Sequence, residues 1–232
     1  MWEFVEGVRG VADACHAITL KDNQNDPTPI IAGNVSFYNE SKNGPIPPSP
    51  IVSCLGRFKN VNKAVPAHFQ NNDSVILLIG ERKNELGGSV YYSLKNELGA
   101  NVPKPNFEEV QNQIFALTDC IDSGLVLSCH DIADGGIASA LAEMTFRNSI
   151  GCNVNIESDL SPDKILFSET GGFILEVLPK NIDTIKSVFS NYELDVFEIG
   201  STGGESIQIN GITDIFVSET KKAWTNGLRE KL

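Results

Sequence analysis

Four short stretches bring together residue types that can do chemistry. In "AGNVSFYNE" (32–40) an apolar run gives way to Gly33, Asn34 and Ser36. Gly33 lets a backbone or ligand approach closely. The amide oxygen of Asn34 is a hard ligand suited to magnesium. In a strand Asn34 and Ser36 share a face, because side chains alternate, so both can address one ligand. A strand end running into a polar turn gives the same pattern. In "SCHDIADGGIASALAEM" (128–144) a strand ends in Cys129-His130-Asp131, and a loop with Gly135-Gly136 opens a helix. Free amides at such a helix start bind anions, and His130 with Asp131 suggests acid–base work. The alternative is a plain turn, with Asp134 capping the helix and the glycines permitting tight packing. In "LFSETGGFILEV" (166–177) Glu169 is either part of a ligand-binding turn or part of a hairpin. In "ELGGSVYY" (85–92) Ser89 reads as a helix N-cap.

The other candidates are weaker. Cys129 and His130 are neighbours on a strand and point to opposite faces, which argues against a nucleophile–base pair. His16 and His68 have no spaced partner that would make a metal site. No GxxxxGK[ST] phosphate loop is present.

The elements that must position these residues fall into two groups. Apolar positions at helical spacing predict a helix over 2–19. A polar turn (21–29), a strand (30–38), a Gly/Pro loop (39–50) and a strand (51–58) follow. The Pro-containing stretch 59–73 marks a boundary. Beyond it strands and helices alternate. Strands are expected at "SVILLIG", "LVLSCHD", "CNVNI", "ILFSE", "GFILEVL", "DVFEIG" and "ESIQIN". Helices are expected from Gly88, from Phe107 with Asn106 as cap, from Gly135, over "KNIDTIKSVFSN" and from Ser218 onward. The fold class is α/β (α+β). One helix and two strands cannot bury both faces of a sheet, so the first module is expected to need a partner.

Bulk properties exclude several classes. The 232 residues carry a net charge of −12, and no Lys/Arg cluster exceeds two adjacent residues. That argues against a nucleic acid polymer and against anionic membranes. No apolar run approaches the roughly 18 residues of a membrane span, and the start lacks a basic, apolar leader. Five cysteines without a CxxC read as reduced thiols. A cytoplasmic protein is expected.

The order of the motifs is more specific than any one of them. "GVADAC", "GNVSFYNE", "GPIPPSPIVSCLG", "LGGSVYY", "HDIADGGIASALAEM", "LFSETGGFILEV" and "AWTNGL" span nearly the whole chain. In this order the sequence resembles the C-terminal part of phosphoribosylformylglycinamidine synthases, ligases of the aminoimidazole ribonucleotide synthetase-like superfamily. The resemblance implies that residues 1–70 are the tail of a β-rich domain and 71–232 an α/β synthetase-like domain. It implies ATP and Mg2+ as cofactors, with Gly33 against ATP, Asn34 on magnesium and Ser36 on the ribonucleotide substrate. Where the family usually has a second glycine this chain has Ala32, which adds a methyl near the nucleotide.

The family's catalytic histidines, nucleotide-binding lysine and other magnesium ligands belong to an N-terminal half that this sequence does not contain. The resemblance therefore implies a truncated or split product, inactive alone. Its partners would be that N-terminal half, a glutaminase subunit and a small accessory subunit. An alternative is a standalone, non-catalytic nucleotide-binding or assembly subunit. The incomplete first module also predicts self-association or poor order over 1–70, which light scattering and limited proteolysis would test.

Overall fold

The computed structural model describes residues 2–35 and 40–227. It contains two compact units. One comprises residues 1–59 with 106–111, the other residues 60–105 with 112–232.

In the first unit α1 (Trp2–Ala17) buries no residue. Its apolar stripe is outward: Trp2 is 74% and Val8 56% exposed. Two small antiparallel pairs follow, β1 (Thr19–Leu20) with β2 (Asn23–Pro27) and β3 (Glu40–Ser41) with β4 (Gly44–Pro45). The strand expected over 30–38 does not form across its described part, nor does the one over 51–58. Ile31 is 75% and Ile51 96% exposed. Apolar β-prone residues become a strand only when a neighbouring strand completes their hydrogen bonds and covers a face. Pro29 and Pro50 also remove donors just before each run.

The second unit is built on a seven-stranded sheet. Its elements are β5 (Val75–Ile79), α2 (Val90–Leu94), α3 (Phe107–Asp122) from Asn112 onward, β6 (Val126–Asp131), α4 (Gly136–Thr145), β7 (Cys152–Val154), α5 (Pro162–Phe167), β8 (Phe173–Val177), α6 (Ile182–Ser190), β9 (Val196–Thr202), β10 (Ser206–Ile209), β11 (Thr213–Phe216) and α7 (Val217–Asn226). The strand order is β11-β10-β7-β9-β5-β8-β6. All pairings are antiparallel except β10 with β7.

The unbroken apolar run of β5 has a direct cause. Ile76 and Leu78 face one core with Ile174, Ile199 and the α4 residues Ile137, Leu141 and Met144. Leu77 and Ile79 face the other with Leu175, Val177, Ala116, Ile185 and Phe189. A strand covered on both faces needs no polar alternation.

Two expectations differ from the structure here. The "ILF" of "ILFSE" ends helix α5 and does not form a strand; Ser168 and Glu169 follow in the loop. Ser161 precedes the helix at the N-cap and Pro162 stands in the first turn; proline fits there because that N–H has no intrahelical partner. β11 was not expected. It pairs with β10 through a turn at Asn210-Gly211, both at positive φ (52° and 65°), the dipeptide that favours hairpins.

Residues 66–71 are strapped against this sheet. Cys129 N–H donates to Pro66 O (3.0 Å) and Phe69 N–H to Met144 O (2.8 Å), and Phe69 is fully buried. The carboxylate of Glu176, also fully buried, accepts from Gln70 N (2.7 Å), Asn71 N (2.9 Å) and Ser128 Oγ (2.8 Å).

Candidate functional site

The structure places Gly33 and Asn34 in an exposed, irregular segment of the first unit. A Cβ built on Gly33 would meet nothing within 4 Å, so packing inside the chain does not require glycine there. Ser36 lies outside the described residues. Among the described residues no group of three or more His, Cys, Asp or Glu is placed to hold a metal ion.

The other three stretches converge in the second unit. Glu169 Oε1 accepts from Val90 N (2.8 Å), at the start of α2, and from Gly135 N (2.9 Å), just before α4. One carboxylate thus ties the "LGGS", "ADGG" and "SETGG" loops together. It takes the place an external anion would take at the start of α4, where unpaired amides and the helix dipole favour negative charge.

Neighbouring residues fix the loop that carries Glu169. Ser168 Oγ donates to Glu85 O (3.2 Å), and Thr170 Oγ1 to Glu85 Oε2 (2.7 Å). The buried Arg82 donates to Ser168 O (3.3 Å) and Gly171 O (2.7 Å). Ser89 caps α2, its Oγ accepting from Tyr92 N (3.2 Å). The cap of α4 differs from expectation. Gly135, and not Asp134, stands at the N-cap; having no side chain it accepts nothing from the first turn, while its own N–H donates to Glu169 Oε1.

Glu169→Ala is expected to speed hydrogen exchange at the Val90 and Gly135 amides at least ~10-fold and to cost about 0.5–1.5 kcal/mol, the net scale of hydrogen bonds that water can partly replace. Glu169→Gln keeps an acceptor oxygen and is expected to restore most of the protection. Exchange followed by NMR measures both.

The Cys129-His130-Asp131 stretch does not form a nucleophile. His130 Nδ1 sits 2.6 Å from Asp131 O, and Nε2 3.2 Å from Glu143 Oε2. Both ring nitrogens are therefore engaged away from a thiol. Burial first, and the Asp131 carboxylate second, push the Cys129 thiol up to about 12. Burial alone does the same to Cys152. Thiolate is the reactive form. At pH 8 an aromatic disulfide reagent is expected to modify the exposed Cys54 on the order of 100-fold faster than Cys129 or Cys152. Fast modification of Cys129, read by mass spectrometry, would contradict this.

The family model "AIR synthase related protein, C-terminal domain" matches residues 71–210. The chain belongs to this family. The matched residues of the AIR synthase related domain run from just before β5 to the end of β10 and contain all three converging loops. Gly33, Asn34 and Ser36 lie outside them.

Similarity to individual proteins extends further. Phosphoribosylformylglycinamidine synthase subunit PurL of Methanothrix thermoacetophila is 37% identical over 100% of this chain and 31% of its own length. The same subunit of Thermoplasma volcanium is 36% identical over 98% of the chain and 29% of its own length. The chain thus spans less than a third of these curated relatives. Among solved structures, Thermotoga maritima PurL complexed with FGAR aligns with a TM-score of 0.59 at 19% identity, over 69% of this chain and 30% of that one. The same protein complexed with ATP aligns at 0.56 and 18%, over 69% and 28%. These likenesses show the AIR synthase-like fold. Among the described residues no helix is long and apolar enough to cross a membrane.

Proposed function

We propose that this chain is the C-terminal portion of a phosphoribosylformylglycinamidine synthase, a cytoplasmic ATP-dependent ligase of purine biosynthesis. That enzyme converts formylglycinamide ribonucleotide and ammonia, released from glutamine, to the formylglycinamidine ribonucleotide. The observation that carries the reading is similarity along the whole chain, not only its matched domain, to PurL subunits. In this reading residues 1–70 are the end of a β-rich synthetase domain and 71–232 the α/β domain. The partners are the N-terminal half of the synthetase, a glutaminase subunit and a small accessory subunit.

The roles of the chain's own residues follow from their types. Gly33 gives ATP a close approach, and the open space around it fits that role. Asn34 is exposed and offers one oxygen to Mg2+; the remaining ligands come from the other half. Ser36 offers a hydroxyl to the ribonucleotide. Mg2+, when bound, neutralises charge on the phosphoryl group being transferred. A chain that supplies one metal ligand and no base is not expected to turn over alone. The exposed apolar residues of the first unit, Ile51, Leu55 and Trp2 among them, are the surface such a partner would cover.

The test is ADP release with Mg-ATP, ammonium and formylglycinamide ribonucleotide. The chain alone is expected to be silent, and joined to the remainder of a PurL subunit it is expected to turn over. Asn34→Ala in the joined protein is expected to lower kcat at least ~10-fold, the scale of one lost stabilising contact to the transferring group. Turnover by the isolated chain that survives Asn34→Ala would refute the assignment. Nucleotide binding without turnover in the joined protein would favour a non-catalytic assembly subunit.

A further inference from the structure

Three Asn-Gly dipeptides occur in the chain: Asn43-Gly44, Asn210-Gly211 and Asn226-Gly227. Such a pair can react within itself. The glycine nitrogen attacks the asparagine side-chain carbon Cγ, ammonia leaves, and a succinimide ring closes. Water then opens the ring at either carbonyl, giving aspartate or isoaspartate. Glycine favours the step because no Cβ shields the attacking nitrogen. Cγ must also be free to swing onto that nitrogen in a near-attack geometry, so the fold decides which of the three pairs reacts.

Two of them are held out of that geometry. Asn210 Oδ1 accepts from Ile156 N (2.6 Å), its Nδ2 donates to Ile156 O (2.8 Å), and its N–H donates to Val154 O (2.9 Å). Turning its Cγ towards Gly211 breaks the first two bonds beside the buried Val154 and Ile156. At Asn226 the obstacle is the helix. α7 ends there, and Gly227 N–H donates to Ala223 O (3.0 Å), so the attacking nitrogen is already engaged. Asn43 has neither restraint. It is exposed, in the two-residue turn Lys42-Asn43 that joins β3 to β4. Its backbone N–H donates to Ser41 Oγ (3.1 Å), a bond that leaves Cγ free to rotate, and its side-chain amide has no hydrogen-bond partner among the described residues. Gly44 has a positive φ of 110°, and a Cβ built on it would meet nothing within 4 Å, so the space around it is open. The ladder that holds this turn is two pairs long, Glu40 with Pro45 and Ser41 with Gly44, and so short a hairpin opens at little cost.

We propose that Asn43 is a deamidation site: its side-chain nitrogen leaves as ammonia, and water supplies the oxygen of the new carboxylate. The product adds one negative charge to a chain already at −12. Isoaspartate also inserts a main-chain methylene into a two-residue turn, which breaks the pairing of Ser41 with Gly44. The proposal rests on the chain's own chemistry and stands without the synthase reading.

The test incubates the whole chain at mildly alkaline pH in heavy-oxygen water, folded and in urea, and follows each Asn-Gly pair by peptide mapping with mass spectrometry. Incorporated heavy oxygen marks conversion in the intact chain and not during digestion. In the folded chain Asn43 is expected to convert at least ~10-fold faster than Asn210 or Asn226, which react only from locally opened states. In urea the three rates are expected to converge to within ~3-fold, because no fold distinguishes them. Asn43→Gln, whose longer side chain closes the ring poorly, is expected to stop conversion at that position and leave the other two rates unchanged. Equal rates in the folded chain, faster conversion at Asn210 or Asn226, or an inert Asn43 while the chain in urea reacts would overturn the proposal. The same preference for Asn43 persisting in urea would overturn its structural basis.

Discussion

Glu176→Ala is expected to lower the unfolding free energy of the second unit by about 3–5 kcal/mol. Glu176 lies on β8, inside the sheet and fully buried. Its two oxygens satisfy the amides of Gln70 and Asn71 and the hydroxyl of Ser128. Removing the carboxylate leaves the buried Ser128 hydroxyl and the part-buried amides of Gln70 and Asn71 without acceptors, at about 1–3 kcal/mol for each donor that stays dry. Glu176→Gln retains one acceptor oxygen but turns an N–H towards a donor, so a smaller loss of about 1–3 kcal/mol is expected. Guanidinium unfolding measures the loss, and hydrogen exchange at Gln70 and Asn71 locates it. A loss below ~1 kcal/mol with unchanged exchange would show that the strap over 66–71 is held by Phe69 and not by the carboxylate.

Gly136→Ala is expected to cost about 2–5 kcal/mol, while its neighbour Gly135→Ala costs about 1–2. Both glycines have positive φ, 67° and 77°, where a Cβ adds about 1–2 kcal/mol. They differ in what the new methyl meets. At Gly136 it falls 2.6 Å from Leu166 O and 2.8 Å from the backbone of Phe167, and backbone can yield only by moving α4 off α5. At Gly135 it meets the side chain of Ser139, which can turn away. Thermal or denaturant unfolding of the two variants side by side tests this. Equal losses would mean that backbone conformation alone, and not helix packing, requires the glycines.

Much of the second unit was legible in the sequence. "VILLI" reads as a buried strand, and "FILEV" and "VLSCHD" are strands where the sequence places them. The Ser89 cap and the Asn106 cap, whose Oδ1 accepts from Glu109 N (3.4 Å), were readable because capping is local. Two further local signals match the structure. Ser161-Pro162 marks a helix start, and Asn210-Gly211 marks a hairpin. In the first unit the strand pattern over 30–38 and 51–58 was real as a pattern, but described residues there find no ladder to join. Gly33 and Asn34 were legible only as types.

The sequence by itself determined which residues are apolar, where glycine and proline punctuate the chain, and the order of motifs that marks the family. Those properties act over a few residues or through the period of side chains along one element. Tertiary structure decided which distant groups satisfy one another. Glu169 reaches amides 34 and 79 positions away, and Glu176 reaches the 66–71 strap across more than 100. Whether a carboxylate serves a ligand or its own backbone depends on which unpaired donors the fold brings within about 3 Å, and sequence spacing alone does not supply that distance.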